Sequence, residues 1–411
     1  MKSSSLYIFM GIMILSGATQ GYTDYSNQAA ALYNVHYKWT DMKEIVYNQE
    51  LIGASIILGC CLGAASGGKL MQYGRRRAHF IAVFAGMFGV IFTLIKDFEM
   101  QMFGRLVYGF AAGLQSVVSP RFIEEYVPND YVGTCIAIFT FAQNLGLLVA
   151  MFIAVILPDD LDIAALEANE SWRIIFGLPI ISYALILVGL VFLIPYDAPK
   201  YHISQNQRYK ALKSIHRIYE TGNSERTAQR IYNYIKRSST QATSNVTLGE
   251  AFFTDEMHRR ASWTNIAIIV FSELTGFQAI MLYSNIIFTE ILGDHSSFSP
   301  REGTYVIAAV NFFASFCSIG AVKCFGRRPL LLFGHAGVAI CHVLIGIFIM
   351  ADMGVAVLIT TCAFMFIYQN TCEPIGQVYV TETCCDIALG VSTQVLWMVI
   401  LLESLVTESL M

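Results

Sequence analysis

The sequence predicts an all-α, polytopic membrane protein built from two related halves. Three observations carry this. Of 411 residues, 55% are hydrophobic and only 14% charged, against about 25% charged in soluble domains, so a water-facing surface of ordinary polarity is excluded. Apolar runs of about 20 residues, each able to cross roughly 30 Å of hydrocarbon as a helix, recur along the chain. Finally, Gly74-Arg75-Arg76, set between two such runs, returns as Gly326-Arg327-Arg328 in the same setting, the mark of an internal duplication.

Eleven spans follow from the apolar runs: 6–31, 47–70, 78–96, 101–126, 131–157, 172–195, 262–292, 302–325, 329–350, 354–381 and 388–408. They are helical because a helix satisfies its own backbone groups in lipid and an open sheet does not. Gly109, Gly113, Pro120, Gly146, Pro179, Gly276 and Pro374 need not interrupt them, since neighbouring helices, hydroxyl side chains or water take up freed carbonyls. An odd count in a duplicated chain predicts that a twelfth helix is missing, through truncation or an incomplete gene model. Residues 1–20 also read as a secretory signal, with Lys2 ahead of an apolar run ending in Ser16-Gly17-Ala18. The continuation through Gly21-Tyr22 into further apolar sequence favours a first span.

Basic residues set the orientation. Arg75, Arg76 and Arg77 share one short loop, Arg327 and Arg328 another, and segment 196–261 carries eleven Lys or Arg, so these face the cytoplasm. Loop 158–171 on the other side holds Asp159, Asp160, Asp162, Glu167 and Glu170. Within the water-facing segment 200–261, Tyr209, Leu212, Ile215, Ile218 and Tyr219, then Ile231, Tyr234 and Ile235, recur at helical spacing and predict short amphipathic helices. The polar stretch 238–247 reads as a linker. Expected units are therefore 1–199, a linker at 200–261 and 262–411.

Several motifs in a fixed order carry a family resemblance: Gly74-Arg75-Arg76; Gly104-Arg105-Leu106 with Ser119-Pro120 and Glu125; Trp172-Arg173; Leu274-Thr275-Gly276 with Tyr283-Ser284; Gly326-Arg327-Arg328-Pro329; and Pro374-Ile375 with Tyr379-Val380 and Glu382. The chain resembles the sugar porters of the major facilitator superfamily over nearly its whole length. The resemblance implies that superfamily's fold, two six-helix halves, here without the last helix. It also implies a secondary carrier of a small polyhydroxylated solute.

An Arg pair at a cytoplasmic helix end can bond a carboxylate in bidentate fashion or cap exposed helix carbonyls. The resemblance implies that Arg75 and Arg76 act with Glu125, and Arg327 and Arg328 with Glu382, as latches of the inward-closed state. The same arginines also read as topology anchors.

A sugar needs paired donors and acceptors for its hydroxyls, which Gln and Asn amides offer, and apolar surface for its C–H faces. In the family's seventh span two glutamines precede an asparagine; Ser272 and Glu273 stand at the glutamine positions and Gln278 at the asparagine. A family asparagine in the eighth span matches Asn311, and the stacking tryptophan of the tenth becomes Gln377. In the fifth span the family glutamine aligns with Thr140, with Gln143 one turn on. Gln143 reads either as lining the pathway or as an interhelical bond.

Intramembrane charges usually face a cavity or a partner. Asp24 and Glu273 are the acids placed within the body of the membrane, and Arg105 opens the fourth span. The resemblance implies proton coupling between an aspartate at the first span's aromatic and the fourth-span arginine. Asp24 is displaced by one position and also reads as a vestibule residue; Glu273 is the rival proton carrier.

The ten cysteines, Cys60-Cys61 and Cys384-Cys385 among them, lack metal-ligand spacing. His335 and His342 read as helix packing. There is no phosphate loop with a following Lys-Ser or Lys-Thr, so ATP coupling lacks support, and no nucleophile is paired with a base. Asn169-Glu170-Ser171 is a glycosylation sequon in an outer loop; Asn245-Val246-Thr247 lies on the cytoplasmic side and should stay bare.

The expectation is a sugar or polyol carrier, symporter or facilitator, in the lipid bilayer of the plasma membrane, with protons as candidate co-substrates. No cofactor, catalytic residue or nucleic-acid partner is expected. The alternatives are a carrier of another small organic solute, with Glu273 pairing an amino group, and a non-transporting sugar sensor acting through segment 200–261.

Overall fold

The computed structural model describes residues 2–23, 37–39, 41–153, 172–222, 224–238, 246–278, 280–281, 300–351 and 353–410. Among these every regular element is helical. In chain order they are α1 (Ser3–Gly21), α2 (Met42–Leu70), α3 (Arg75–Thr93), α4 (Phe98–Tyr126), α5 (Asn129–Ile153) and α6 (Trp172–Val188). Three short helices follow, α7 (Pro199–Ser204), α8 (Arg208–Ile218) and α9 (Glu225–Ser238). Then come α10 (Glu256–Glu273), α11 (Pro300–Cys324), α12 (Arg327–Met350), α13 (Gly354–Ile367), α14 (Glu373–Thr383) and α15 (Asp386–Leu410).

Each of the eleven expected spans overlaps one of the long helices, α13 and α14 together forming the tenth; the expected ends of the first, fifth and seventh, at 31, 157 and 292, lie outside the described residues. Eight of these helices are long and apolar enough to cross a membrane. The bundle keeps an apolar interior but, unlike a soluble protein, also turns apolar side chains outward and buries several polar ones. Phe84, Phe88 and Ile91 on α3 and Phe333, Ile340, Val343 and Ile347 on α12 are exposed, while Arg75, Arg105, Gln115 and Gln369 are buried. Apolar side chains outward and polar ones inward suit a hydrocarbon solvent.

Helices α1–α6 pack with one another chiefly through α2/α4, α3/α4 and α1/α5. Bare backbone makes this possible. A side chain at Gly59, Gly63, Gly109 or Gly113 would run into the facing helix, α4 for the first two and α2 for the others. These are two facing Gly-xxx-Gly pairs, which let helices approach closely where lipid supplies no hydrophobic drive. The two sets of helices meet along α2/α15 and α5/α11. At one end of the first seam Gly68 and Gly390 again leave no room for a side chain: a Cβ on Gly68 would lie 2.7 Å from the Asp386 carbonyl oxygen, and one on Gly390 would lie 2.9 Å from the Gly68 nitrogen.

Of the seven Gly and Pro positions expected to be tolerated, Gly109, Gly113, Pro120, Gly146 and Pro179 lie inside unbroken helices. Gly276 marks a break, whereas Pro374 stays inside a helix that runs on through a π-helical turn. Helix α10 stops at Glu273, and Gly276 then takes φ +77°, a conformation glycine adopts freely and other residues rarely do. Pro374 opens α14 directly after a π-helical turn at Tyr368–Cys372. Such turns widen a helix and concentrate at functional positions.

The amphipathic helices form as expected, with the expected inward face except at two tyrosines. Ala211 and Ile215 of α8 and Ala228, Tyr232 and Ile235 of α9 are buried together, with Leu212, Tyr219 and Ile231 packed against them. Tyr209 and Tyr234 are 77% and 66% exposed, because each falls off the i, i+3, i+4, i+7 stripe that its neighbours define.

The Gly-xxx-Gly contact makes a prediction. Gly109→Val and Gly113→Val should each destabilise the folded bundle by about 1–3 kcal/mol through overpacking. Gly53→Ala, in open space on α2, should be neutral. Detergent-resistant folded fraction in a denaturant titration checks this; equal effects at all three positions would refute the packing argument.

Candidate functional site

The break after α10 and the π-helical turn before α14 face the same space. A cavity of about 200 Å³ is lined from the first helices by Gln20, Thr23, Ser116, Gln143 and Asn144, and from the later ones by Ser272, Glu273, Gln278, Tyr368, Glu373, Gln377 and Trp397. Both sets of helices contribute. Discontinuous helices meeting at a central space is the arrangement that exposes peptide groups and polar side chains without stranding them in lipid.

Neighbouring helices take up what the break releases. His342 on α12 bonds the Thr275 carbonyl through Nε2 at 2.9 Å, and His335 Nε2 lies 3.2 Å from Ser272 Oγ. The packing role expected of both histidines is met, at the break itself. Phe277 stacks on Tyr368 at 4.4 Å between ring centroids, and the Tyr368 hydroxyl donates to Glu273 Oε1 at 3.4 Å.

The expected site residues divide. Gln143, Glu273, Gln278 and Gln377 line the cavity. Thr140 does not; it is fully buried and its hydroxyl donates to the Ile136 carbonyl at 3.2 Å. Asn311 also stands off the cavity, and its amide donates to Asn144 Oδ1 at 3.0 Å. Asn144 in turn donates to the Thr140 carbonyl at 3.1 Å. The member of this chain that lines the cavity is thus Asn144, one turn beyond Thr140, held by the Thr140 carbonyl and the Asn311 amide. Arg105 is buried on α4, outside the cavity lining. Asp24, Tyr283-Ser284 and the sequon at Asn169 lie outside the described residues.

Two acids correct the sequence reading. Glu373 opens α14 within the tenth span and lines the cavity, and Glu403 lies in α15. Glu273 and Asp24 are therefore not the sole acids inside the membrane-spanning body. Neither acid is singled out by the sequence reading, although both fall inside expected spans, 354–381 and 388–408. Trp397 on α15, also missed, restores to the cavity an aromatic face absent at Gln377.

A second cluster closes one end. Arg75 contacts Glu125 at 2.6 Å and Asp386 at 2.7 Å. Arg121 reaches the other oxygen of Asp386 at 2.7 Å and donates to the carbonyls of Cys384 at 2.7 Å and Thr381 at 3.1 Å. Arg75, Arg121, Glu125 and Asp386 are all buried, so two cations face two anions out of water, and these bonds join α3 and α4 to α14 and α15. Asp386 and Arg121 are absent from the sequence reading.

The expected Arg75–Glu125 and Arg327–Glu382 pairs are present, the latter at 2.8 Å and partly exposed. The other two arginines behave differently. Arg76 turns to the end of α6, donating to the carbonyls of Leu190 and Ile194 at 2.8 and 2.7 Å, which caps an otherwise open helix end. Arg328 is exposed and takes no part in the Glu382 pair. The turn before α3 is fixed by Asp197, which accepts from the backbone N–H of Ala198 at 2.9 Å and of Arg76 at 3.3 Å. Burial pushes the Asp197 carboxyl above the ordinary carboxylate range.

The bundle, the seams and the cavity shared by both sets of helices define an integral multi-pass membrane protein with the major facilitator superfamily fold. The family model described as "Sugar (and other) transporter" matches residues 9–411, and the chain belongs to that family. It is 25% identical over 356 residues to a low-affinity glucose transporter of Saccharomyces cerevisiae, covering 81% of this chain and 60% of the relative. It is 27% identical over 291 residues to the galactose-proton symporter of Escherichia coli, covering 70% and 59%. The chain thus spans about three fifths of the length of these relatives. Among solved structures, the proton:xylose symporter XylE bound to 6-bromo-6-deoxy-D-glucose superposes with a TM-score of 0.85 at 19% identity, covering 100% of this chain and 90% of that one. The inward open conformation of XylE from E. coli matches less well, at 0.69, 19% identity and 98% and 89% coverage.

The two ion clusters should differ in strength. Removing one partner of a buried pair strands the other charge, at about 3–5 kcal/mol, whereas an exposed pair contributes about 0–1 kcal/mol. Asp386→Asn should therefore raise thiol labelling of the buried Cys384 and Cys385 severalfold, and Arg327→Ala should raise it little. The reverse order would show that the exposed pair governs closure at this end.

Proposed function

We propose that the protein is a secondary transporter of a sugar or related small polyhydroxylated solute, working by alternating access. The observation that carries this is the cavity shared between the two sets of helices, closed at one end by the ion cluster around Asp386. A solute held there would touch both halves, so that rocking one against the other exposes it to either side. Gln143, Asn144, Gln278 and Gln377 would bond its hydroxyls, each amide offering both donor and acceptor. Trp397 would meet its C–H face. No covalent chemistry is required of any of these groups.

The units are then 1–199 and 262–411 as the moving bodies and 200–261 as the linker between them. Arg75, Arg121, Glu125 and Asp386 act as the main latch of the inward-closed state, with Arg327 and Glu382 as a lesser one and Arg76 as a helix cap. The basic character of segment 196–261 supports a cytoplasmic position for the latch end, and the plasma membrane is the proposed location. Glu273 is the proposed proton carrier if uptake is gradient-driven.

Uptake of radiolabelled hexoses and pentoses by proteoliposomes containing the full chain tests the reading; absence of uptake of every sugar tried would reject it. Asn144→Ala and Asn311→Ala should each raise the KM for the transported solute by up to about tenfold, one by removing a ligand and the other by releasing it, on the scale of a lost hydrogen bond. An unchanged KM in Asn311→Ala would show that Asn144 needs no support. An inward proton gradient should raise accumulation in the wild type, and Glu273→Gln should abolish that gain. A wild type indifferent to the gradient makes the protein a facilitator.

A further inference from the structure

The charge balance of the central cavity is unusual for a site that takes a neutral sugar. Glu273 and Glu373 both line it, and among the described lining residues there is no Lys, Arg or His. Glu273 is 8% exposed, and among the described residues its hydrogen bond from a neighbouring side chain is the long contact from Tyr368. Glu373 is hydrogen-bonded to Gln369 and Asn144, yet among the described residues its Oε2 is buried without a partner. The amides of Gln143 and Gln20 also each leave a buried atom unpartnered here, and either can turn oxygen or NH2 to the space. A carboxylate oxygen left over in a buried cavity calls for a donor.

Two kinds of donor fit differently. A hydroxyl brings one hydrogen and two lone pairs of its own, so several hydroxyls in this space would add acceptors nearly as fast as they satisfy them. An ammonium group brings three donors and no acceptor. Its charge also offsets the carboxylates, which in a membrane interior are costly unless paired. The rings of Trp397 and Tyr368 line the same space and can attract a cation over their faces. The ion pairs that balance the other buried acids, Glu125 and Asp386, involve Arg75 and Arg121 at the closed end and belong to a different cluster.

We propose that the cavity takes a hydroxylated solute bearing a protonated primary amine, an amino sugar or amino polyol, with the ammonium held between Glu273 and Glu373 and the hydroxyls by the amides of Gln143, Asn144 and Gln377. This rests on the transport reading and names its substrate class. The amine supplies the counter-charge that the protein does not, and the two carboxyls, which come from α10 and α14 beside the break and the π-helical turn, converge on it from one half of the molecule.

The test compares three probes of one skeleton: D-glucosamine, its neutral N-acetyl derivative and D-glucose. Each is measured in calorimetric binding to the purified full chain and as a competitor of sugar uptake in proteoliposomes, at a pH where the amine is charged. D-glucosamine should bind at least about tenfold more tightly than N-acetyl-D-glucosamine, the scale of one charge-assisted hydrogen bond. That ratio should fall towards one in Glu373→Gln and in Glu273→Gln. Taking the ratio within each preparation removes any effect of reduced folded protein. Uptake of D-glucose with equal affinities for the amine and its N-acetyl form would overturn the inference while leaving the transport reading intact. So would a ratio that persists in both variants. Failure of all three probes to bind or to be carried would overturn both.

Discussion

Asp386 is the residue on which the conformation depends. One of its oxygens meets Arg75 and the other Arg121, so a single carboxylate at the start of α15 holds two arginines of the other half. Burying these charges is expensive, and the cluster is tolerable because its members neutralise one another and because the remaining N–H groups of Arg121 are spent on helix-end carbonyls. A cluster balanced in this way is stable in one arrangement and poor in any intermediate. It therefore behaves as a two-position element rather than as a spring.

The cavity is built by the opposite device. Where the ion cluster sets charge against charge, the centre leaves polar atoms available where α10 stops and the α13–α14 helix widens. Gly276 supplies the backbone freedom for the break and the π-helical turn at Tyr368–Cys372 the widening. The histidines of α12 brace both from outside. The site thus depends on a support layer that never touches the cavity, in the same way that Asn144 depends on Asn311.

The helical architecture was legible because hydrocarbon permits one backbone solution, and a run of apolar residues leaves no choice of element. The Arg75–Glu125 and Arg327–Glu382 pairs were legible because the motifs carrying them are duplicated. Asp386 was not, since its partners lie 265 and 311 residues away and nothing local announces the pairing. Within the site, reading failed by single turns. Gln143 was placed, yet Thr140 and Asn311 were taken as ligands when their side chains are committed to Ile136 and Asn144, a distinction set by helix rotation and not by residue type. Glu373 escaped although it falls inside an expected span, because a single acid in an apolar run carries no mark of whether it faces lipid, a neighbour or a cavity.

The meeting of Gly68 and Gly390 has an electrical consequence. At the shut end of the molecule the backbones of α2 and α15 touch with no side chain between them, beside the neutralised cluster of Arg75, Arg121, Glu125 and Asp386. Bare peptide against bare peptide leaves no gap between these two helices for a file of water molecules, and without such a file neither protons nor small ions have a route between them at this seam. The seam acts as a gasket: it allows a hollow, polar centre to exist in a membrane that must hold a voltage.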